Sequence, residues 1–119
     1  MKTETLVVAC NLIEGFHRWP NASPRRRFLA ALHRHVFRIE TSFAVADDDR
    51  EIEIFDAQDR VEEFLTRKFG RPCRFGDLSC EAIARTILEE TGAVRVEVRE
   101  DGFGGAVVSR RSEDGGGEC

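Results

Sequence analysis

The stretch Leu32-His33-Arg34-His35-Val36-Phe37-Arg38-Ile39-Glu40-Thr41-Ser42-Phe43-Ala44-Val45 decides how the chain is read. His33, His35, Phe37, Ile39, Phe43 and Val45 fall in one alternating register. Side chains two apart on a strand share a face. A strand from His33 to about Val45 is therefore expected, with two imidazoles and an apolar row on the same side. The sequence has only three histidines, and the third, His17, lies upstream in Phe16-His17-Arg18-Trp19 across a plausible loop. His17, His33 and His35 together make the donor set of a three-histidine zinc site, with a fourth position left open for water or substrate. A lone histidine is more often a satisfied polar residue than a ligand, so the candidate rests on all three.

Working outward, residues 4–14 are rich in β-formers and apolar on both alternating faces, as in a strand covered on both sides. Pro20, Asn21 and Pro24 mark a loop, and Asp47-Asp48-Asp49 a turn. Residues 51–55 are expected to be a short strand or extended segment leading into a helix with Asp56 as N-cap. Val61, Phe64, Leu65, Lys68 and Phe69 then follow at helical spacing up to Gly70. Gly70 to Leu78 reads as a loop carrying Pro72, Cys73 and Asp77. A second helix starts with Ser79 as N-cap, has Glu81 in its first turn, buries Ile83, Ala84, Ile87 and Leu88, and ends at Gly92. Two strands, Ala93 to Glu100 and about Gly104 to Arg110, close the domain around a Glu-Asp-Gly turn.

The expected class is α+β in the order β-β-α-α-β-β, a four-stranded antiparallel sheet with two helices on one face. That arrangement leaves the other sheet face bare, exposing Val7, Ala9 or their neighbours. Another subunit is expected to cover it in a symmetric oligomer.

With 119 residues, 41% of them hydrophobic, the chain can form one domain with a modest core, expected over residues 1–110. Residues 111–119 are glycine-rich and acidic and read as a disordered tail. A net charge of −4 argues for neither a nucleic-acid nor a membrane partner. Yet through Arg38 there are seven basic residues against two acids, so the surroundings of the histidines are locally positive and favour an anionic ligand. No apolar run is long enough to span a bilayer, and no signal-peptide pattern opens the chain, so a cytoplasmic location is expected. Cys10, Cys73, Cys80 and Cys119 lack CxxC spacing and read as free thiols, Cys10 within a strand.

The histidine in an aromatic loop, the strand-opening His33-Arg34-His35, the Ser79-Cys80-Glu81 helix start and Val94-Arg95-Val96-Glu97-Val98-Arg99-Glu100 resemble the 6-pyruvoyl-tetrahydropterin synthase and 6-carboxy-tetrahydropterin synthase family over roughly residues 4–108. The resemblance implies a T-fold, with subunits assembled into an oligomeric barrel (a hexamer or another ring) and sites lying between them. It implies that His17, His33 and His35 bind zinc, with Arg34 in place of the glycine of the family's H-G-H motif. It implies that Glu100 anchors a pterin or purine ring. Ser79, where the family has threonine, would line the same pocket. A carboxylate suits the ring role because it accepts paired N–H donors. Arg25, Arg26 and Arg27, between the ligands, could clamp a triphosphate or form a solvated loop.

The chain also departs from this pattern. The family's synthases carry a catalytic cysteine four residues before the strand motif, where this chain has Leu29, and residues 18–32 contain no acid or thiol. No histidine follows His35, so the family's Asp-His pair is absent too. The resemblance therefore implies a zinc-dependent enzyme acting on a pterin, a 7-deazapurine precursor or a purine nucleotide by lyase or hydrolase chemistry other than the standard synthase reaction. Glu100 or Asp77 would handle protons. The alternative is a metal-stabilised T-fold that binds or assembles without turnover. Cys73 or Cys80 could supply a relocated thiol, although ordinary core or loop cysteines are the more frequent case.

Overall fold

In the computed structural model, which describes residues 2–110, strand β1 (Thr5–His17) and strand β2 (His33–Val45) pair antiparallel along their whole length. A 3-10 helix, Pro24–Ala30, lies between them. Helix α1 (Ile54–Phe69), strand β3 (Cys73–Gly76), helix α2 (Cys80–Thr91) and strands β4 (Arg95–Glu100) and β5 (Gly104–Ser109) complete the order. The fold is α+β around an open, mixed, five-stranded sheet in the order β3-β1-β2-β4-β5. Strand β3 runs parallel to β1, and the other neighbours are antiparallel. The tail expected at 111–119 lies outside the described residues. None of the described helices is long and apolar enough to cross a membrane.

The sheet thus has a fifth strand where Gly70 to Leu78 reads as a loop. Strand β3 has four residues, too few for a periodic signal, and it follows Gly70 and Pro72. It is held by pairing Gly15 with Cys73 and Phe16 with Arg74, and it turns Cys73 and Phe75 inward. Strand β1 runs on past residue 14 to His17, so this histidine stands on a strand end and not in a loop. Helix α1 begins at Ile54, leaving no strand at 51–55. Its N-cap is Glu53, whose carboxylate accepts the Asp56 N–H at 3.2 Å, so Asp56 lies in the first turn. Ser79 caps α2 as expected, its hydroxyl oxygen accepting the Ala82 N–H at 3.1 Å. Gly70 and Gly92 end the two helices with φ of 86° and 80°, a region that L-residues with side chains avoid.

Both helices pack on one sheet face. Phe37, Ile39 and Phe43 from β2 and Val96 and Val98 from β4 form a core with Val61, Phe64 and Leu65 of α1 and Ile83, Ile87 and Leu88 of α2. Ala9 belongs to this core, and Val7 packs against it, so the bare face of β1 carries their neighbours Val8 and Leu12, which are 45% and 68% exposed. Val107 of β5, opposite Glu97, is also exposed there, and ion pairs cover much of the rest. Arg34 pairs with Glu14, Arg38 with Glu40 at 3.2 Å, and Glu97 with both Arg95 and Arg99.

Candidate metal centre

The register of β1 against β2 builds the site. His17, the last residue of β1, stands directly opposite His33, the first of β2, and His35 follows two positions on, on the same face. The ring centroids are 4.6 Å apart for His17 and His33, 4.9 Å for His33 and His35, and 5.3 Å for His17 and His35. One ring nitrogen from each lies within 4.8 Å of the others, and the group could hold a metal ion.

The hydrogen bonds behind the rings set their chemistry. His17 Nδ1 is 3.0 Å from the Leu78 carbonyl, His33 Nδ1 is 2.9 Å from the Ala31 carbonyl, and His35 Nδ1 is 2.7 Å from Asp101 Oδ2. Carbonyl and carboxylate oxygens only accept, so each Nδ1 must carry the proton and donate. In the neutral imidazole, Nε2 is then a bare lone pair, the state a metal needs. The His35 Nε2 is buried and has no hydrogen-bond partner, as expected of an atom reserved for a cation. Burial is the main cause holding the His17 imidazole below its ordinary 6.5, outweighing the opposing influence of the Leu78 carbonyl and Glu100, so the neutral ligand form is favoured.

Asp101 owes its position to the turn between β4 and β5. Asp101 and Gly102 both have positive φ, 51° and 79°, the pairing that suits Asp-Gly in a tight hairpin turn. The turn folds the carboxylate back onto β2, where Oδ1 accepts the Val36 N–H at 2.8 Å while Oδ2 accepts His35 Nδ1–H. The His35 hydrogen bond, followed by that from Val36, lowers the Asp101 carboxyl below its ordinary value. A carboxylate behind a ligand histidine fixes its tautomer and orientation.

Glu100, the last residue of β4, faces the other side of the cluster. Its Oε2 lies 3.0 Å from His17 Nε2, and its Oε1 lies 3.4 Å from His35 Nε2. The Cys80 thiol, at the first position of α2, donates to Oε2 at 3.4 Å. Burial, then the nearby Glu100 charge, pushes this thiol up to about 12, so it stays protonated at neutral pH.

A cavity of about 310 Å³ opens over the cluster, lined by His17, His33, Glu100, Trp19 and Leu29 and by the start of α2, Ser79 to Glu81. His35 does not line it; its side chain is half-buried beside it, with Nε2 shielded from solvent. Asp77 lines the rim but is engaged with Arg18 Nε at 2.7 Å. The Ser79 oxygen is occupied as the α2 cap. Arg25, Arg26 and Arg27 lie on the exposed 3-10 helix and do not line the cavity. Leu29 does line it and gives it an apolar wall. Cys80 reaches the cavity, whereas Cys73 is buried away from it, its thiol pushed up to about 11 by burial.

Sequence reading missed Asp101 and Trp19 as parts of the site. The only signal for Asp101 was the Glu-Asp-Gly turn, which marks a bend without saying what the carboxylate faces. No family model matches this chain, and no curated protein matches it either.

Proposed function

We propose that this chain is a zinc-dependent, T-fold enzyme of the 6-pyruvoyl/6-carboxy-tetrahydropterin synthase type that acts on a planar pterin-, 7-deazapurine- or purine-type ring by lyase or hydrolase chemistry. One observation carries this reading: three imidazoles, each with Nδ1 against an acceptor oxygen, bring one ring nitrogen apiece within 4.8 Å of one another, beside Glu100 at the base of an open cavity. His17, His33 and His35 hold the metal. Bound zinc would supply a Lewis acid that polarises an oxygen of the ligand.

The chain's own residues supply the rest. Asp101 and the Leu78 and Ala31 carbonyls hold the imidazoles in the ligating tautomer. Trp19, 47% exposed at the cavity wall, offers an aromatic face for a flat ring, and the cavity volume falls within the range of small-molecule sites. Glu100 is the carboxylate placed to accept a proton or ring N–H groups, with Asp77 farther out on the rim. Leu29 excludes covalent thiol catalysis from that position, so the reaction differs from the synthases' own. Val8 and Leu12 on the bare face support assembly into a homo-oligomeric ring, and the free thiols Cys10, Cys73 and Cys80 fit a reducing cytoplasm.

The second reading is a binding or assembly protein without turnover. It is favoured by the apolar side chain at Leu29. The deciding experiment is elemental analysis of untagged protein beside His33→Ala, followed by a panel of dihydroneopterin triphosphate, GTP and dGTP. About one zinc per chain in the wild type, little in the variant, and product from one of the panel are expected. Ring binding that depends on Glu100 but yields no product selects the second reading. Absence of metal in both proteins overturns the first.

A further inference from the structure

Resting on the zinc reading above, we propose that Glu100 is itself the fourth metal ligand of the ligand-free protein, braced from behind by the Cys80 thiol, so that the resting site is closed and not open. Adjacent ligands of a tetrahedral zinc with bonds of about 2.0–2.2 Å stand about 3.3–3.6 Å apart. Glu100 Oε1 stands 3.4 Å from His35 Nε2, within that spacing, and Oε2 stands 3.0 Å from His17 Nε2, a little inside it.

These contacts do not serve as hydrogen bonds between neutral groups. His17 Nδ1–H is committed to the Leu78 carbonyl, which leaves a lone pair on Nε2 facing a carboxylate oxygen. The same holds for His35, whose Nε2 makes no hydrogen bond although Glu100 is near. Lone pairs of two imidazoles and a carboxylate turned toward each other in a half-buried site repel unless a second ring proton or a metal cation lies among them, and a proton on one ring leaves the other ring's lone pair unmatched. A divalent metal satisfies all of them at once.

The position of Glu100 is prepared independently of the histidines. Its backbone stands opposite Phe37 on β2 and Gly104 on β5, at the end of a paired strand. Cys80 holds Oε2 from the first turn of α2. Cys80 acts here as a positioning residue, through Glu100 and not on the metal. Glu100 has two alternative partners, the cation and the N–H groups of a ring, and one oxygen cannot serve both. Occupancy of the fourth position therefore competes with ring binding.

The test compares wild type, Glu100→Gln, Glu100→Ala, Cys80→Ala, Cys80→Ser and His33→Ala as untagged proteins, with circular dichroism of the metal-free forms as the check on folding. Zinc affinity is read by competition with a chromophoric chelator. The visible spectrum of the cobalt-substituted protein is read with and without added azide. Both Glu100 variants should lose more than the roughly 10–100-fold in affinity that removing a hydrogen-bond partner behind a ligand costs. Cys80→Ala should fall within that smaller range, and Cys80→Ser, which keeps a donor, should recover most of it. The wild-type cobalt spectrum should ignore azide, and that of Glu100→Ala should respond.

Zinc affinity unchanged by either Glu100 substitution, or a wild-type spectrum that azide alters as readily as the Glu100→Ala spectrum, overturns the proposal. If His33→Ala nonetheless loses the metal, the three-histidine reading stands and only the Glu100 assignment falls. Wild-type protein that binds no zinc overturns both.

Discussion

Gly15 is the point at which core packing and the metal centre meet, and Gly15→Ala tests both. Gly15 lies two residues before His17 on β1, opposite His35 on β2 and beside Cys73 on β3. A Cβ there would stand 2.7 Å from Phe75 Cε2 and 3.0 and 3.1 Å from two ring atoms of Phe37. Neither ring can swing clear into solvent, because Phe37 and Phe75 are 0% and 3% exposed. They also stack edge to face at 4.9 Å, with Phe69 behind Phe75 at the same distance.

Overpacking of this kind costs about 1–3 kcal/mol. Replacing glycine by alanine restricts the unfolded chain and returns about 0.4–1 kcal/mol. The net expectation is a loss centred on about 1.3 kcal/mol (roughly 0–2.6), and each kcal/mol lowers the melting temperature of a domain this size by about 3–6 °C. The Phe37 ring also sits 5.2 Å from His17 and 5.6 Å from His35, so its displacement moves the floor beneath two ligands. Urea denaturation of the metal-free proteins, read at constant slope, measures the first effect, and chelator competition for zinc measures the second. A variant as stable as the wild type or more so, with unchanged zinc affinity, would refute this account of the packing.

At Gly105 the conflict is with backbone: a Cβ would stand 1.7 Å from the Val98 carbonyl oxygen and 2.7 Å from the Arg99 Cα. Gly105→Ala should therefore strip hydrogen-exchange protection from the β4–β5 ladder while the β1–β2 ladder keeps its own, and equal protection in both would count against the geometry. Hydrogen bonds from Arg99, then the charges of Arg99 and Arg95, hold Glu97 below its ordinary 4.5, so the ionised form stabilises the fold above that pH and the contribution is lost as pH falls through the folded value. The stability advantage of wild type over Glu97→Gln should thus be largest near about pH 7 and shrink below about pH 4, and a pH-independent difference would contradict it. Cys80, pushed up from 9.0 to about 12, should alkylate in the native protein at about pH 8 more than about 100-fold slower than after unfolding, as followed by peptide mapping. Native and unfolded rates of similar size would show the thiol to be ionised.

The alternation from His33 to Val45 was enough to specify β2 with both its ends, because which side chains share a face of a strand is a local property with a period of two. Local rules also carried the ends of the helices at Gly70, Ser79 and Gly92, where a left-handed backbone or an orphan N–H must be accommodated within a few residues. By the same logic the sequence alone brought His33 and His35 to one side and singled out His17 by its residue type.

Only the tertiary structure decided what stands across from them. Strand β3 exists because β1 offers it an edge, and four residues after a proline carry no pattern of their own. The pairing of His17 with His33, Asp101 turned back onto His35, the Leu78 carbonyl behind His17 and the Cys80 thiol behind Glu100 join residues up to 66 positions apart. Such contacts follow from strand register and helix docking, which depend on how the whole apolar surface closes. The same closure left Arg25, Arg26 and Arg27 away from the cavity and placed Leu29 and Trp19 on its wall. Residue type and spacing determined the donors; long-range packing determined their tautomers, their neighbours and the space above them.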